Sequence, residues 1–170
     1  AYDLISVYKP KLKWVNIDSL APNALMKQLY MSLNYDLVKA EYTYGDSRID
    51  FYMEKNGEKF LTEVKGCTLA DDLHPGIGLF PDAPTERGVK HLHELTKAAK
   101  EGCHTAIAFV IQMNGIHRVL PNEAAQPEFK KALVEAAKAG VQIVCYSCHV
   151  EADRVKITGV TEDTSSFVNM

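Results

Sequence analysis

The chain has 170 residues, 46% of them hydrophobic and 24% charged, with a formal net charge of −3. That length fits one domain with a sizeable core, and the composition is that of an ordinary globular protein. A net negative chain has no overall basic field for nucleic acid, so any anion site must be local. No apolar run approaches the ~18–20 residues of a membrane span. The opening AYDLISVYKPKLKW lacks the regions of a secretory signal, so the cytoplasm is the expected compartment.

In chain order, YKPKLKW (8–14) interleaves three lysines with Tyr8 and Trp14. Such a run suits backbone contact and base stacking. It equally fits a strand edge whose lysines discourage pairing, and so small a patch on a net negative chain favours that reading. LKWVNI reads as a short strand, and SLAPNALMKQLYM as a helix with Pro22 in its first turn. DLVKAEYTYG and SRIDFYMEK are β-rich runs, and EKFLTEVKG returns after Asn56-Gly57, a pair suited to the positive φ angles of a type I′ hairpin turn. Residues 67–83 read as one long loop, of the kind that is more often functional than accidental.

PTERGVKHLHELTKAAKEG is the strongest helix. Pro84 suits the first turn, Glu86 the positive end of the dipole and Gly102 the stop, and positions 88, 91/92, 95 and 98/99 form the apolar stripe. HTAIAFVIQM is a strand apolar enough for both of its faces to be covered. QPEFKKALVEAAKAG is a second amphipathic helix, VQIVCYSCHV a strand and RVKITGV an edge strand. Cys145 and Cys148 lie on opposite faces of their strand and read as small apolar residues, not a redox or zinc pair. The order predicts an α/β fold: a mixed sheet flanked by helices.

Three charges stand out in the hairpin. A two-residue turn at Asn56-Gly57 sets Asp50 opposite Glu63, their Cβ atoms roughly 4.5–5.5 Å apart. Lys65 follows on the same face, beside Arg48, while Ile49, Phe51, Met53, Phe60 and Val64 make the opposite face apolar. Opposed carboxylates repel unless something positive lies between them. Two readings stay open. A divalent cation, Mg²⁺ or Mn²⁺, suits hard oxygen ligands on rigid strands, with Lys65 placed to activate water or to stabilise charge on a phosphate. Alternatively, the patch is a solvent-facing network of cross-strand salt bridges.

Asp-x(n)-Glu-x-Lys on neighbouring strands after a helix resembles the PD-(D/E)xK motif of restriction endonucleases and junction resolvases. YGDSRIDF, EVKGCTLADD and GLFPDAPTERGVKHLHEL closely resemble the sugar fermentation stimulation protein family, SfsA. VNIDSLAPNALMKQL, with Asn16 and Asn23, and PEFKKALVEAAKAGVQIVCYSCHV extend the resemblance over almost the whole chain. It implies a restriction-endonuclease-like fold and a DNA-binding protein linked to regulation of sugar metabolism. Asp50, Glu63 and Lys65 fall on the nuclease-like triad, and Glu41 falls on a family acid that is either a further metal ligand or a plain salt-bridge residue.

FPDAPTERG delivers a helix N-terminus, whose free N–H groups and dipole favour phosphate. Thr85, as phosphate contact or cap, and Arg87 and His91, one turn apart, are the expected phosphate-binding residues, with Arg48 nearby. His74, His93, His104, His117 and His149 show no metal spacing. The resemblance implies that the family begins with a small OB-like barrel, which this chain is expected to lack. Residues 1–170 are thus expected to be a single nuclease-like domain, with 1–15 the remnant of a junction to that missing N-terminal barrel. Gln28 also stands where the family has an acid on its first helix, and an amide is a poor ligand for a hard cation. Two functions follow: a metal-dependent phosphodiesterase acting on DNA, or a non-catalytic DNA-binding regulator that keeps the scaffold.

Overall fold

The computed structural model describes residues 4–170. Its elements are β1 (Ser6–Lys9), β2 (Lys13–Asn16), α1 (Ala21–Ser32), β3 (Leu37–Tyr44), β4 (Ser47–Lys55), β5 (Glu58–Cys67), β6 (Leu69–Ala70), β7 (Ile77–Phe80), α2 (Glu86–Lys100), β8 (His104–Ile111), β9 (Arg118–Pro121), α3 (Pro127–Lys138), β10 (Gln142–Val150), β11 (Val155–Glu162) and α4 (Thr164–Val168). Six strands form a mixed sheet in the order β11-β10-β8-β5-β4-β3. The central neighbours β5–β8 and β8–β10 run parallel, and the outer pairs run antiparallel.

Parallel neighbours need crossover connections, which α2 and α3 supply on one face of β8, while α1 covers the other. Leu92 and Leu95 of α2 and Phe129 and Leu133 of α3 pack with Ile107, Phe109 and Cys145 on one face. Met26 and Tyr30 of α1 pack with Phe51, Met53, Val64, Val110 and Cys148 on the other. Cys145 and Cys148 therefore enter different cores, as strand alternation requires.

The β4–β5 turn has positive φ at both central residues, 52° at Asn56 and 79° at Gly57. Its ladder runs from Lys55↔Glu58 to Phe51↔Thr62, and Asp50 and Glu63 are the next pair along. The two-faced hairpin needs correction. Tyr52 and Leu61, on the acid face, are buried in the α2-side core, so that face is no open solvent patch. Ile49, expected beside Phe51, also joins the α2-side core. The β3–β4 ladder skips the Glu41–Asp50 position, where Glu41 has φ 56°, and both strands exchange inward and outward faces there. A non-glycine residue in the left-handed region is uncommon, and the change of face aims Asp50 toward the first turn of α1.

The long loop of 67–83 also departs from expectation. It contains β6 and β7, which join β9 in a separate three-stranded sheet. Pro84 stands outside α2, because Thr85 is its N-cap. The lysine run is a β1–β2 hairpin, with Lys9 opposite Lys13 and Tyr8 edge-on to Trp14 at 5.4 Å. Gln112 ties this ribbon to the main sheet by donating to Asn16 Oδ1 at 2.8 Å and to the Asp18 carbonyl at 3.0 Å.

Gly66 lies beneath that tie. A Cβ there would stand 2.3 Å from Gln112 Oε1 and 2.8 Å from Pro22 Cγ. Gly66→Ala should therefore destabilise the protein by ~1–3 kcal/mol, through displacement of Gln112 and the start of α1. Urea denaturation measures this, and an unchanged midpoint would show that the neighbours yield freely.

Candidate functional site

The carboxyl ends of parallel strands are where α/β sheets present ligand crevices. Glu63 and Lys65 lie near the end of β5, and α2 begins on the same side after the 67–85 connection. Asp50, from the antiparallel neighbour β4, completes the cluster. Its Oδ2 accepts from the Val64 N–H at 2.8 Å, and its Oδ1 accepts from Asn23 Nδ2 at 3.0 Å.

Glu63 is 1% exposed, and among the described residues no N–H group or hydroxyl makes a well-directed hydrogen bond to either of its carboxylate oxygens. Lys65 Nζ is 3.8 Å from Oε2, and His91 Nδ1 is 3.2 Å from Oε1. Burial first, then sharing a hydrogen with Asp50, pushes the Glu63 carboxyl well above the usual carboxylate range. Burial also opposes the Asp50 carboxylate, but contacts from Glu63, the Val64 N–H and Asn23, with Lys65 nearby, outweigh it and lower its pKa. The pair therefore holds one charge and one proton, Glu63 supplying the donor, as expected of opposed acids in a dry site.

His91 extends the cluster from α2. It is 7% exposed, with Nδ1 3.1 Å from Lys65 Nζ and Nε2 3.5 Å from Arg87 Nε. Burial, then Lys65 and Arg87, lowers its pKa to about 4 and keeps the ring neutral at physiological pH. Of the two residues expected to bind phosphate one turn apart, Arg87 is exposed at the first turn of α2 and His91 is enclosed.

Other expected residues sit elsewhere. Glu41 and Arg48 pair with each other at 3.0 Å on the exposed β3–β4 margin, side chains 70% and 65% exposed. The cause is local, since the left-handed φ of Glu41 takes it out of the ladder beside Asp50. Thr85 Oγ1 accepts from the Gly88 N–H at 2.9 Å, while its N–H and carbonyl bond the Gln126 side chain. It is thus a cap that also ties α2 to the start of α3. Thr85→Ala should destabilise the protein by ~1 kcal/mol and leave cation binding unchanged; a chemical melt beside a calorimetric titration reads both, and weakened cation binding would return Thr85 to the site.

Gln28 is exposed, whereas Asn23, five residues earlier, reaches Asp50. The contribution of α1 is thus an amide from its first turn. The signals for the two partners that sequence reasoning did not join to the acids were modest: a histidine within the buried stripe of α2, and an amide directly after the helix-starting Pro22.

Among the described residues, no three His, Cys, Asp or Glu side chains converge as a ready-made metal cage. Two adjacent carboxylates do converge, one with both oxygens buried and unpartnered. That donor set fits a hard divalent cation that takes one or two protein carboxylates and fills its remaining positions with water or substrate oxygen.

A helix-flanked mixed sheet with a buried glutamate beside a half-buried aspartate, a lysine and a neutral histidine at its carboxyl end defines an α/β domain with a compact cluster of ionisable groups. The chain belongs to the sugar fermentation stimulation protein family: the model described as Sugar fermentation stimulation protein RE domain matches residues 17–154. The sugar fermentation stimulation protein homolog of Desulfitobacterium hafniense (strain Y51) is 42% identical over 160 residues, covering 91% of this chain and 68% of the relative. That of Ruminiclostridium cellulolyticum is 43% identical over 160 residues, with 92% and 69% covered. The fold is similar to the structure of Pyrococcus furiosus SfsA in complex with Ca²⁺, with a TM-score of 0.78, 24% identity and coverage of 92% of this chain and 69% of that one. Among the described residues, no helix is long and apolar enough to cross a membrane.

Proposed function

We propose that this chain is a restriction-endonuclease-like DNA-binding domain whose Asp50–Glu63 pair holds Mg²⁺ or Mn²⁺ and which acts on phosphodiesters. The observation that carries the reading is the buried, unpartnered carboxylate of Glu63 beside a second carboxylate. A stability-driven core would not retain such a pair, because two opposed acids in a dry site must hold a proton or a cation. When bound, a divalent cation there would neutralise the acids and draw negative charge from a phosphate oxygen.

The chain's own groups supply the rest. Lys65 lies within reach of the acid pair and can donate to a phosphate or orient water. Arg87, exposed at the start of α2, adds a guanidinium suited to phosphate. The free N–H groups of that helix end favour the same anion. A specific observation supports the second reading, a non-catalytic DNA-binding regulator: α1 offers the Asn23 amide to Asp50, and among the described residues no third acid joins the pair. Under that reading the same groove binds DNA without turnover, in keeping with a role in sugar metabolism.

Calorimetric titration with Mg²⁺ and Mn²⁺, followed by incubation with single- and double-stranded DNA, separates the two. Saturable cation binding with cation-dependent strand cleavage establishes the phosphodiesterase. DNA affinity with no cleavage at saturating cation establishes the binder, and absence of both overturns the proposal. Ca²⁺ belongs in the same titration, since the Pyrococcus furiosus relative is described in complex with it.

A further inference from the structure

We infer that His91 is a positioning residue for Lys65: its Nδ1 lone pair accepts the lysine Nζ–H and keeps the ammonium off Glu63. The inference rests on reading Asp50, Glu63 and Lys65 as the working site. Three distances carry it. Lys65 Nζ is 3.1 Å from His91 Nδ1 but 3.8 Å from Glu63 Oε2, and Nδ1 is 3.2 Å from Glu63 Oε1 without a directed hydrogen bond to it. A lysine facing a buried carboxylate would ordinarily close onto it. Here the histidine holds the shorter contact.

An ammonium has only donors, so Nδ1 must accept and the ring hydrogen must sit on Nε2. Arg87 Nε–H points at Nε2 at 3.5 Å, near the limit of hydrogen bonding, and this tautomer gives up that weak bond. In this tautomer Arg87 makes no hydrogen bond to the ring, which leaves its exposed guanidinium available to a ligand. The opposite tautomer would give Nδ1–H to Glu63 and remove the acceptor from Lys65. Between the two, 3.1 Å against 3.5 Å favours the tautomer that holds the lysine.

The consequence is access. His91 is enclosed on α2 and rigidly placed, whereas Lys65 is a flexible side chain that loses considerable rotamer freedom when pinned. Without the histidine acceptor, Lys65 swings onto the singly charged Asp50–Glu63 pair and occupies it before a cation arrives. His91 thereby keeps the acid pair open and sets the lysine beside it.

The test begins with the unaltered full chain, labelled with ¹⁵N-histidine and free of cation. Ring ¹⁵N shifts should show His91 with hydrogen on Nε2 and a bare, accepting Nδ1, and Lys65→Met should shift the Nδ1 resonance. A hydrogen on Nδ1, or a ring unmoved by Lys65→Met, overturns the inference. Mn²⁺ titration of two variants gives a second readout. His91→Asn keeps an acceptor near the Nδ1 position and should bind within about threefold of the unaltered chain. His91→Phe keeps volume without an acceptor and should lose ~10–100-fold, the usual effect of removing an outer partner of a metal ligand. Equal affinities for the two variants would reduce His91 to a packing residue. If the unaltered chain binds no Mn²⁺ and cleaves no DNA, the proposed function fails by itself, and the ring shifts still decide the role of His91.

Discussion

Asp50→Asn should abolish saturable Mg²⁺ and Mn²⁺ binding while moving the melting temperature by only a few degrees. The Asp50 carboxylate is held ionised by the Val64 N–H, Asn23 and Glu63 in spite of its burial. Asparagine keeps an oxygen for the Val64 N–H at nearly the same volume, and removes the charge together with the acceptor that faces Asn23 Nδ2. Hard cations need that charge, and loss of a direct ligand should exceed the ~10–100-fold effect of losing an outer partner. Glu41→Gln is the control, because Glu41 pairs with Arg48 away from the acid pair and its loss should leave cation affinity unchanged. Cation binding that survives in Asp50→Asn would remove Asp50 from the site. Any DNA cleavage should vanish in the same variant, while any DNA affinity, proposed to rest on Arg87 and the helix start, should largely remain.

Cation affinity should also climb with pH, approaching tenfold per pH unit while Glu63 remains protonated in the cation-free protein. Burial and Asp50 raise the Glu63 pKa, so the native protein keeps a proton that the unfolded chain has already lost above the ordinary carboxylate range. The stability contributed by this group is complete at acid pH and is lost as pH rises through the raised native value. A cation that replaces the proton removes this loss, so saturating Mg²⁺ should raise the melting temperature more at about pH 8.5 than at about pH 6.

His91 acts with the opposite sign. Its pKa falls from 6.5 to about 4, so between those values the unfolded chain binds more protons, and this group's contribution to stability grows as pH rises through that window. Glu63→Gln isolates the two by removing the slope above neutrality while leaving the acid limb. Cation affinity that is flat across pH in the unaltered chain would mean that Glu63 holds no proton for the cation to displace.

The hairpin and its acids were legible because they are local. Asn56-Gly57 sets the register, the register sets Asp50 against Glu63, and two-residue alternation adds Lys65. The helical stripes of α2 and α3 follow from a 3.6-residue period in the same way. The second sheet was not legible: β7 pairs in parallel with β9, Ile77↔Arg118 through Phe80↔Pro121, and four-residue strands so far apart carry little periodic signal. Gln28 misled for a rotational reason. Five residues along a helix is about 140° around it, so Asn23 and Gln28 cannot face the same acid.

From residues alone came the α/β layering, the acid–acid–lysine line on one hairpin and the family resemblance, all written within contiguous segments whose local geometry is prescribed by backbone periodicity. The tertiary structure decided what surrounds that line: Glu63 buried against Asp50, His91 brought from α2 to Lys65, Asn23 brought from α1 to Asp50, and Glu41 turned away to Arg48. Those contacts join separate elements, and their energies depend on burial and on distances of a few ångströms that only three-dimensional packing sets.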